Sequence, residues 1–116
     1  MGARAYQQTM QSIAEPRDSE AKVFSAVTGG LERHKEEGRK SPLLKEWLAR
    51  NQKLWNALRT NVSTTENQLP ADLRARLLSL SMWVDRHTAA FLRGEAEIDD
   101  LIAVNRAVAA GLAGAR

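Results

Sequence analysis

Two asparagines stand where the surrounding pattern calls for apolar side chains. Asn51 interrupts the stripe Leu44, Trp47, Leu48, Leu54, Trp55, Leu58, and Asn105 interrupts Ile98, Leu101, Ile102, Val108, Ala109, Leu112. At about 100° per residue each amide falls near the middle of its apolar arc, where without partners it would cost roughly 1–3 kcal/mol of desolvation. A buried primary amide both donates and accepts hydrogen bonds. It can lock two helices in one register or grip the backbone of a loop or a partner. The spacing predicts that both amides are buried or half-buried, paired with each other or with main-chain groups across the interface of their two helices.

The titratable residues offer less. The only two histidines lie on different segments. His34 and Glu37 have an i,i+3 relation, far short of the carboxylates and histidines on four helices that a di-metal bundle uses. His87 lies on an apolar face between Val84 and Phe91 and reads as a hydrogen-bonded core or boundary residue. No Gly-rich phosphate loop, serine elbow or pair of catalytic carboxylates occurs at useful spacing. With no cysteine in the chain, a thiol nucleophile, a disulfide framework and a cysteine metal site are all excluded. The expectation is a protein that is not an enzyme and takes no cofactor and no metal.

Seventeen basic residues against fourteen acidic ones give a formal charge of +3 and a pI near 9.7, which raises the question of nucleic acid. The positions answer it. Arg50, Lys53 and Arg59 point to different sides of one helix, Arg74 and Arg76 lie about 160° apart on another, and the run from Lys35 to Lys40 is diluted by Glu36 and Glu37. These read as solvated faces, and no direct nucleic-acid contact is expected. The start, Met1 to Gln8, has no apolar signal region, and no stretch approaches the roughly 18 apolar residues of a membrane span. A soluble cytoplasmic protein is expected, and the sequon Asn61-Val62-Ser63 is then accidental.

The elements that must position these residues are helices, since no convincing period-two strand occurs. The length, 116 residues, fits one domain over residues 1–116 with a core that needs no staples. Tyr6, Met10 and Ile13 form one side of a short helix ending before Pro16. A second helix begins near Pro16 to Ser19 and buries Val23, Phe24, Val27 and Leu31, with Gly29-Gly30 as a point of bending or fraying. Lys35 to Lys40 is a loop. Ser41 as N-cap and Pro42 at the first helical position open a helix running to about Val62. After a polar stretch from Ser63 to Leu69, Pro70 starts a helix that Gly94 ends. Glu97, Asp99 and Asp100 acidify the start of the last helix, which reaches about Leu112. The expected fold is all-α, a single small bundle of about five helices.

The helix opened by Pro70 is apolar on two sides. Leu73, Leu77, Leu80, Val84 and Phe91 have the stricter spacing and are assigned to the core, so that Leu80→Glu should unfold the protein. Leu78, Met82 and Ala89, with Trp83 at an edge, are assigned to a partner surface, and methionine suits a groove that adapts to similar helices. Trp47 and Trp83, at the edges of their arcs, are candidate binding anchors, while Trp55 at the centre is core. The last helix, where Ala103, Val104, Ala107 and Ala110 back the main stripe, is the other place a partner surface would lie.

These segments resemble the flagellar biosynthesis regulator FlaF family of alphaproteobacteria over nearly the whole chain. The likeness is carried by Tyr6, by Pro16-Arg17-Asp18-Ser19-Glu20-Ala21, by Asn51-x-x-Leu54-Trp55 and by Asn67-x-Leu69-Pro70-x-x-Leu73-Arg74. It continues in Trp83-Val84-x-x-His87 and in Ile98-x-x-Leu101-Ile102-x-x-Asn105-Arg106 with Gly111-Leu112. Gly29-Gly30 and the Lys35 to Lys40 loop depart from the more regular helix expected there. The resemblance implies a cytoplasmic chaperone that holds flagellin for export, through amphipathic terminal helices, and supports flagellin synthesis. It also implies opposition to a second regulator, FlbT, that restrains flagellin translation. An adaptor acting only through such a regulator, or a direct RNA-binding regulator, are the alternatives.

Overall fold

A computed structural model describes residues 20–64 and 69–114, and these hold four α-helices and no strand. The all-α expectation holds, with four helices where about five were expected; the segment of Tyr6, Met10 and Ile13 lies outside the described residues. We label the helices α1 (20–34), α2 (Pro42–Ser63), α3 (Ala71–Leu92) and α4 (Ile98–Gly114).

α1 buries Ala21, Phe24, Val27, Thr28 and Leu31. It continues unbroken through Gly29-Gly30, where bending or fraying was expected, because Gly30 faces the Trp47 indole of α2: a methyl built on Gly30 would overlap the ring atoms. The glycine lets the ring lie on the α1 backbone. Val23, expected in the core, is 47% exposed; it lies on the side of Gly30 but two turns earlier. A 3₁₀ turn at Lys35–Glu37 follows. Gly38, at φ 86, then reverses the chain in a conformation that L side chains resist.

Ser41 caps α2 as expected, its Oγ accepting from the Leu44 N–H at 3.2 Å with Pro42 opening the first turn. The same hydroxyl donates to Glu37 Oε1 at 2.6 Å. That bond, followed by the contact with His34, holds the Glu37 carboxyl below the usual glutamate range. α2 buries Leu44, Leu48, Asn51, Trp55, Leu58 and Val62, one stripe at helical spacing. Pro70 precedes α3 in extended backbone. Gly94 ends it at φ 80, with the Glu95 N–H on Ala90 O at 2.8 Å and the Gly94 N–H on Phe91 O at 2.9 Å, a Schellman pair.

The two turn regions meet at one end of the bundle. Lys35 Nζ donates to Asp99 at 3.0 Å, Arg39 Nη1 to Leu92 O at 3.3 Å, and His87 Nε2 lies 2.6 Å from Glu97 O. Arg59, read from sequence as solvated, instead reaches from α2 to α3. Its guanidinium donates to Ser81 Oγ at 2.9 Å, to Ser81 O at 3.1 Å and to Asp85 Oδ2 at 2.7 Å. A long side chain can bury its stem while its charge finds partners, and here those partners belong to another helix.

The core side of α3 also needs correction. Leu77, Val84 and Phe91 are buried as expected, and so is Ser81, but Leu73 and Leu80 are only half-buried. The packed arc of α3 is turned toward α2, which brings Ser81 under the Arg59 fork and leaves Leu80 on the flank. Val84→Glu, rather than Leu80→Glu, is therefore expected to abolish folding, since it buries a carboxylate without a partner. Met82 is 52% exposed, and Met82→Glu should stay within about 0.5 kcal/mol of the parent. Guanidinium melts of the three variants check the order; Leu80→Glu as severe as Val84→Glu would mean that Leu80 is core.

Candidate partner-binding groove

Because α3 turns toward α2, its other flank is left facing α4 across an open gap. Leu73, Leu77 and Leu80 line one wall and Val104, Ala107 and Val108 the other, around a volume of about 280 Å³. Gly111 and Leu112 close the end furthest from the turns, and Arg76 is the one charged residue among those lining it. Arg76 has an exposed guanidinium 3.8 Å from Asp72. Gly111 is exposed, and nothing lies within 4 Å of where a Cβ would stand. The walls offer almost no hydrogen-bonding capacity, which suits an apolar stripe of another helix and not a polar small molecule.

Beneath the groove, the two asparagines pair with each other, one of the two arrangements that their spacing allowed, and Trp55 joins them in a relay. Trp55 Nε1–H donates to Asn105 Oδ1 at 2.9 Å, and Asn105 Nδ2 donates to Asn51 Oδ1 at 2.7 Å. The indole fixes the direction: an indole N–H only donates, so Asn105 must present oxygen to it and its amide nitrogen to Asn51, which must answer with oxygen. Asn51 Nδ2 is then the loose end, buried and without a partner among the described residues. Phe24 packs edge-on against Trp55 with centroids 5.3 Å apart, so the relay joins α2 to α4 at the centre of the core.

The five residues assigned to a partner surface do not form one surface. Met82 and Ala89 are exposed on α3, with Leu78 beside them half-buried against the core. Trp83 lies on another side of α3, stacked on His87 with centroids 4.5 Å apart. Trp47 is on α2, seated on Gly30, with Arg50 over its ring at 4.5 Å and Arg33 at 5.4 Å. The groove combines α3 residues that sequence reasoning placed in the core with Val104 and Ala107, which it set on the alternative surface. On α4 their signal was the second apolar side of that helix; on α3 the groove residues carried no signal apart from the core stripe itself.

Of the other family-motif positions, Trp55, Asn51 and Asn105 are buried in the relay and Pro70 caps α3. His87 is half-buried against Glu97 O, and Arg106 pairs with Glu32 at 3.1 Å. Glu20 is half-buried at the first described residue, while Tyr6 and Asn67 lie outside the described residues. No group of three His, Cys, Asp or Glu that could hold a metal occurs among the described residues. None of the described helices is long and apolar enough to cross a membrane.

The family model of the flagellar protein FlaF matches residues 2–112. The chain belongs to the FlaF family. No curated protein and no solved structure matches it. FlaF membership gives this chain a role in flagellar biosynthesis, and the match covers the described helices up to Leu112 in the last turn of α4, with both asparagines and both walls of the groove.

Proposed function

We propose that this FlaF-family protein is a cytoplasmic, non-catalytic export chaperone that holds flagellin by an amphipathic terminal helix laid in the α3–α4 groove, and that it thereby supports flagellin synthesis. The observation that carries the reading is the groove itself: an open apolar channel on a chain of a flagellar family. Flagellin must be kept from polymerising before export, and covering the apolar face of one of its ends does that without chemistry. Burial of such a face in a preformed groove follows the helix-in-groove mode of recognition.

Titration calorimetry with peptides from the two ends of flagellin tests this. Binding should show a negative heat-capacity change and little dependence on salt. Ala107→Glu, which puts a carboxylate on an exposed position of the groove wall, should weaken binding by roughly tenfold or more while leaving the helical signal unchanged. Met82→Glu should bind as the parent does. Loss of binding with Met82→Glu alone would move the site to the Leu78, Met82, Ala89 side of α3. No heat with any flagellin fragment would favour an adaptor acting through an FlbT-type regulator, and a steep loss of affinity with salt, seen with RNA, would favour direct RNA binding.

A further inference from the structure

The seam between α1 and α2 carries an apolar surface that neither the core nor the groove uses. α2 has two stripes at coiled-coil spacing. Leu44, Leu48, Asn51, Trp55, Leu58 and Val62 form the buried one. Leu43, Trp47, Arg50, Leu54 and Ala57, each one residue before a member of the first five, repeat the same alternation of four and three steps. Of these Leu43 and Ala57 are exposed, and Trp47 and Leu54 are half-buried. α1 supplies a matching line at steps of three, four and three, namely Val23, Ala26, Gly30 and Arg33. The two helices run antiparallel, since Gly30 faces Trp47 and Phe24 meets Trp55. Exposed Val23 therefore stands about level with Leu54, and the seam from Leu43 to Leu54 is about 16 Å long, three helical turns.

Heptad spacing on both sides of a seam is the pattern that receives the knobs of one further helix. Charge selects that helix. Lys22, Arg33, Arg50 and Lys53 border the seam, all exposed, and Lys22, Arg33 and Lys53 form no ion pair among the described residues. Glu46 is the only acidic residue of α2, and Arg50 already holds it at 2.9 Å. The borders are thus cationic around an aliphatic stripe, with Trp47 and its two arginines as the side-chain types that most often anchor an interface. A nucleobase would want a free aromatic face, but the Trp47 ring lies against Gly30 and beneath the Arg50 guanidinium. Val23 and Leu43 offer nothing to a phosphate.

We infer that the α1–α2 seam is a second docking surface, for an amphipathic helix whose apolar heptad stripe is flanked by acidic side chains. α1 pairs with α4 and α2 with α3, so this seam lies across the bundle from the α3–α4 groove. Both surfaces can be occupied at once, and the inference does not rest on flagellin as the occupant of the groove.

The probe is a synthetic peptide with leucines at heptad positions a and d and glutamates at e and g, its anisotropy followed as the full chain is added. A second peptide carries lysines at e and g. The glutamate peptide should bind roughly tenfold tighter than the lysine peptide, with an affinity that falls as salt rises. Leu43→Glu, and separately Arg33→Glu with Lys53→Glu, should each weaken it by roughly tenfold while the helical signal and the melting midpoint stay put. Ala107→Glu, in the groove, should bind it as the parent does. Equal binding of the two peptides, or no binding of the first, would overturn the inference. So would loss of binding with Ala107→Glu, which would put the peptide in the groove. Displacement of the peptide by an RNA oligonucleotide or by phosphatidylglycerol vesicles would also overturn it, making the seam a phosphate footprint. Tight binding of the glutamate peptide by a protein that binds no flagellin fragment would sustain the inference and remove the flagellin reading.

Discussion

Asn105→Ala is expected to lower the free energy of unfolding by about 3 kcal/mol, and Asn51→Ala by about 1 kcal/mol. The two residues look equivalent in sequence, yet they hold different places in one directed relay. Asn105 is its middle: without it the Trp55 N–H loses its acceptor and Asn51 loses its only donor, leaving both groups buried and unsatisfied. Asn51 is its end. Removing Asn51 strands only the Asn105 amide nitrogen and at the same time eliminates an Nδ2 that already lacks a partner among the described residues. Guanidinium midpoints of the two variants, with slopes compared to confirm two-state behaviour, check the inequality. Equal losses would mean that the relay has no direction.

Gly30→Ala should destabilise the protein by about 2 kcal/mol, although alanine is the better helix former by about 1 kcal/mol. The methyl overlaps the atoms of the Trp47 ring, so the half-buried indole or the α1 backbone must shift. Its neighbour gives the opposite sign. At Gly29 a Cβ meets only the end of the Arg33 side chain, at 3.3 Å, a group that swings aside, so Gly29→Ala should be neutral or stabilising by up to about 1 kcal/mol. A double-mutant cycle of Gly30→Ala with Trp47→Leu isolates the clash: the second change should recover most of the loss. If Gly30→Ala and Gly29→Ala behave alike, the indole does not sit against the α1 backbone.

What the sequence discloses and what it withholds follow the same physics. Asn51 and Asn105 could be read because a helical period puts them at the centre of apolar arcs, and a buried amide has few ways to be satisfied. The caps at Ser41-Pro42 and Gly94 were legible because each depends on one or two adjacent residues. Gly30 was not, since its reason lies on another helix, at Trp47. Arg59 was misread because a charge at helical spacing looks solvated until Ser81 and Asp85 arrive from α3. Leu80 was misplaced because a helix apolar on two sides does not say which side its neighbours choose. That rotation of α3 is a tertiary outcome, and the groove is its direct result.

The two ties from Lys35 and Arg39 across the turn regions, and that of His87 on α3 to Glu97, all lie at one end of the bundle, and the Trp55–Asn105–Asn51 relay lies in the body. The groove lies toward the opposite end. The molecule is thus built like a clothes peg, sprung at the turns, with the amides pinning α4 to α2 as its fixed pivot and with jaws of leucine and valine. Prising α3 from α4 at the free ends leaves the pivot intact. The jaws can then widen without unfolding the core, and amide hydrogen exchange should speed up from the pivot toward the jaws.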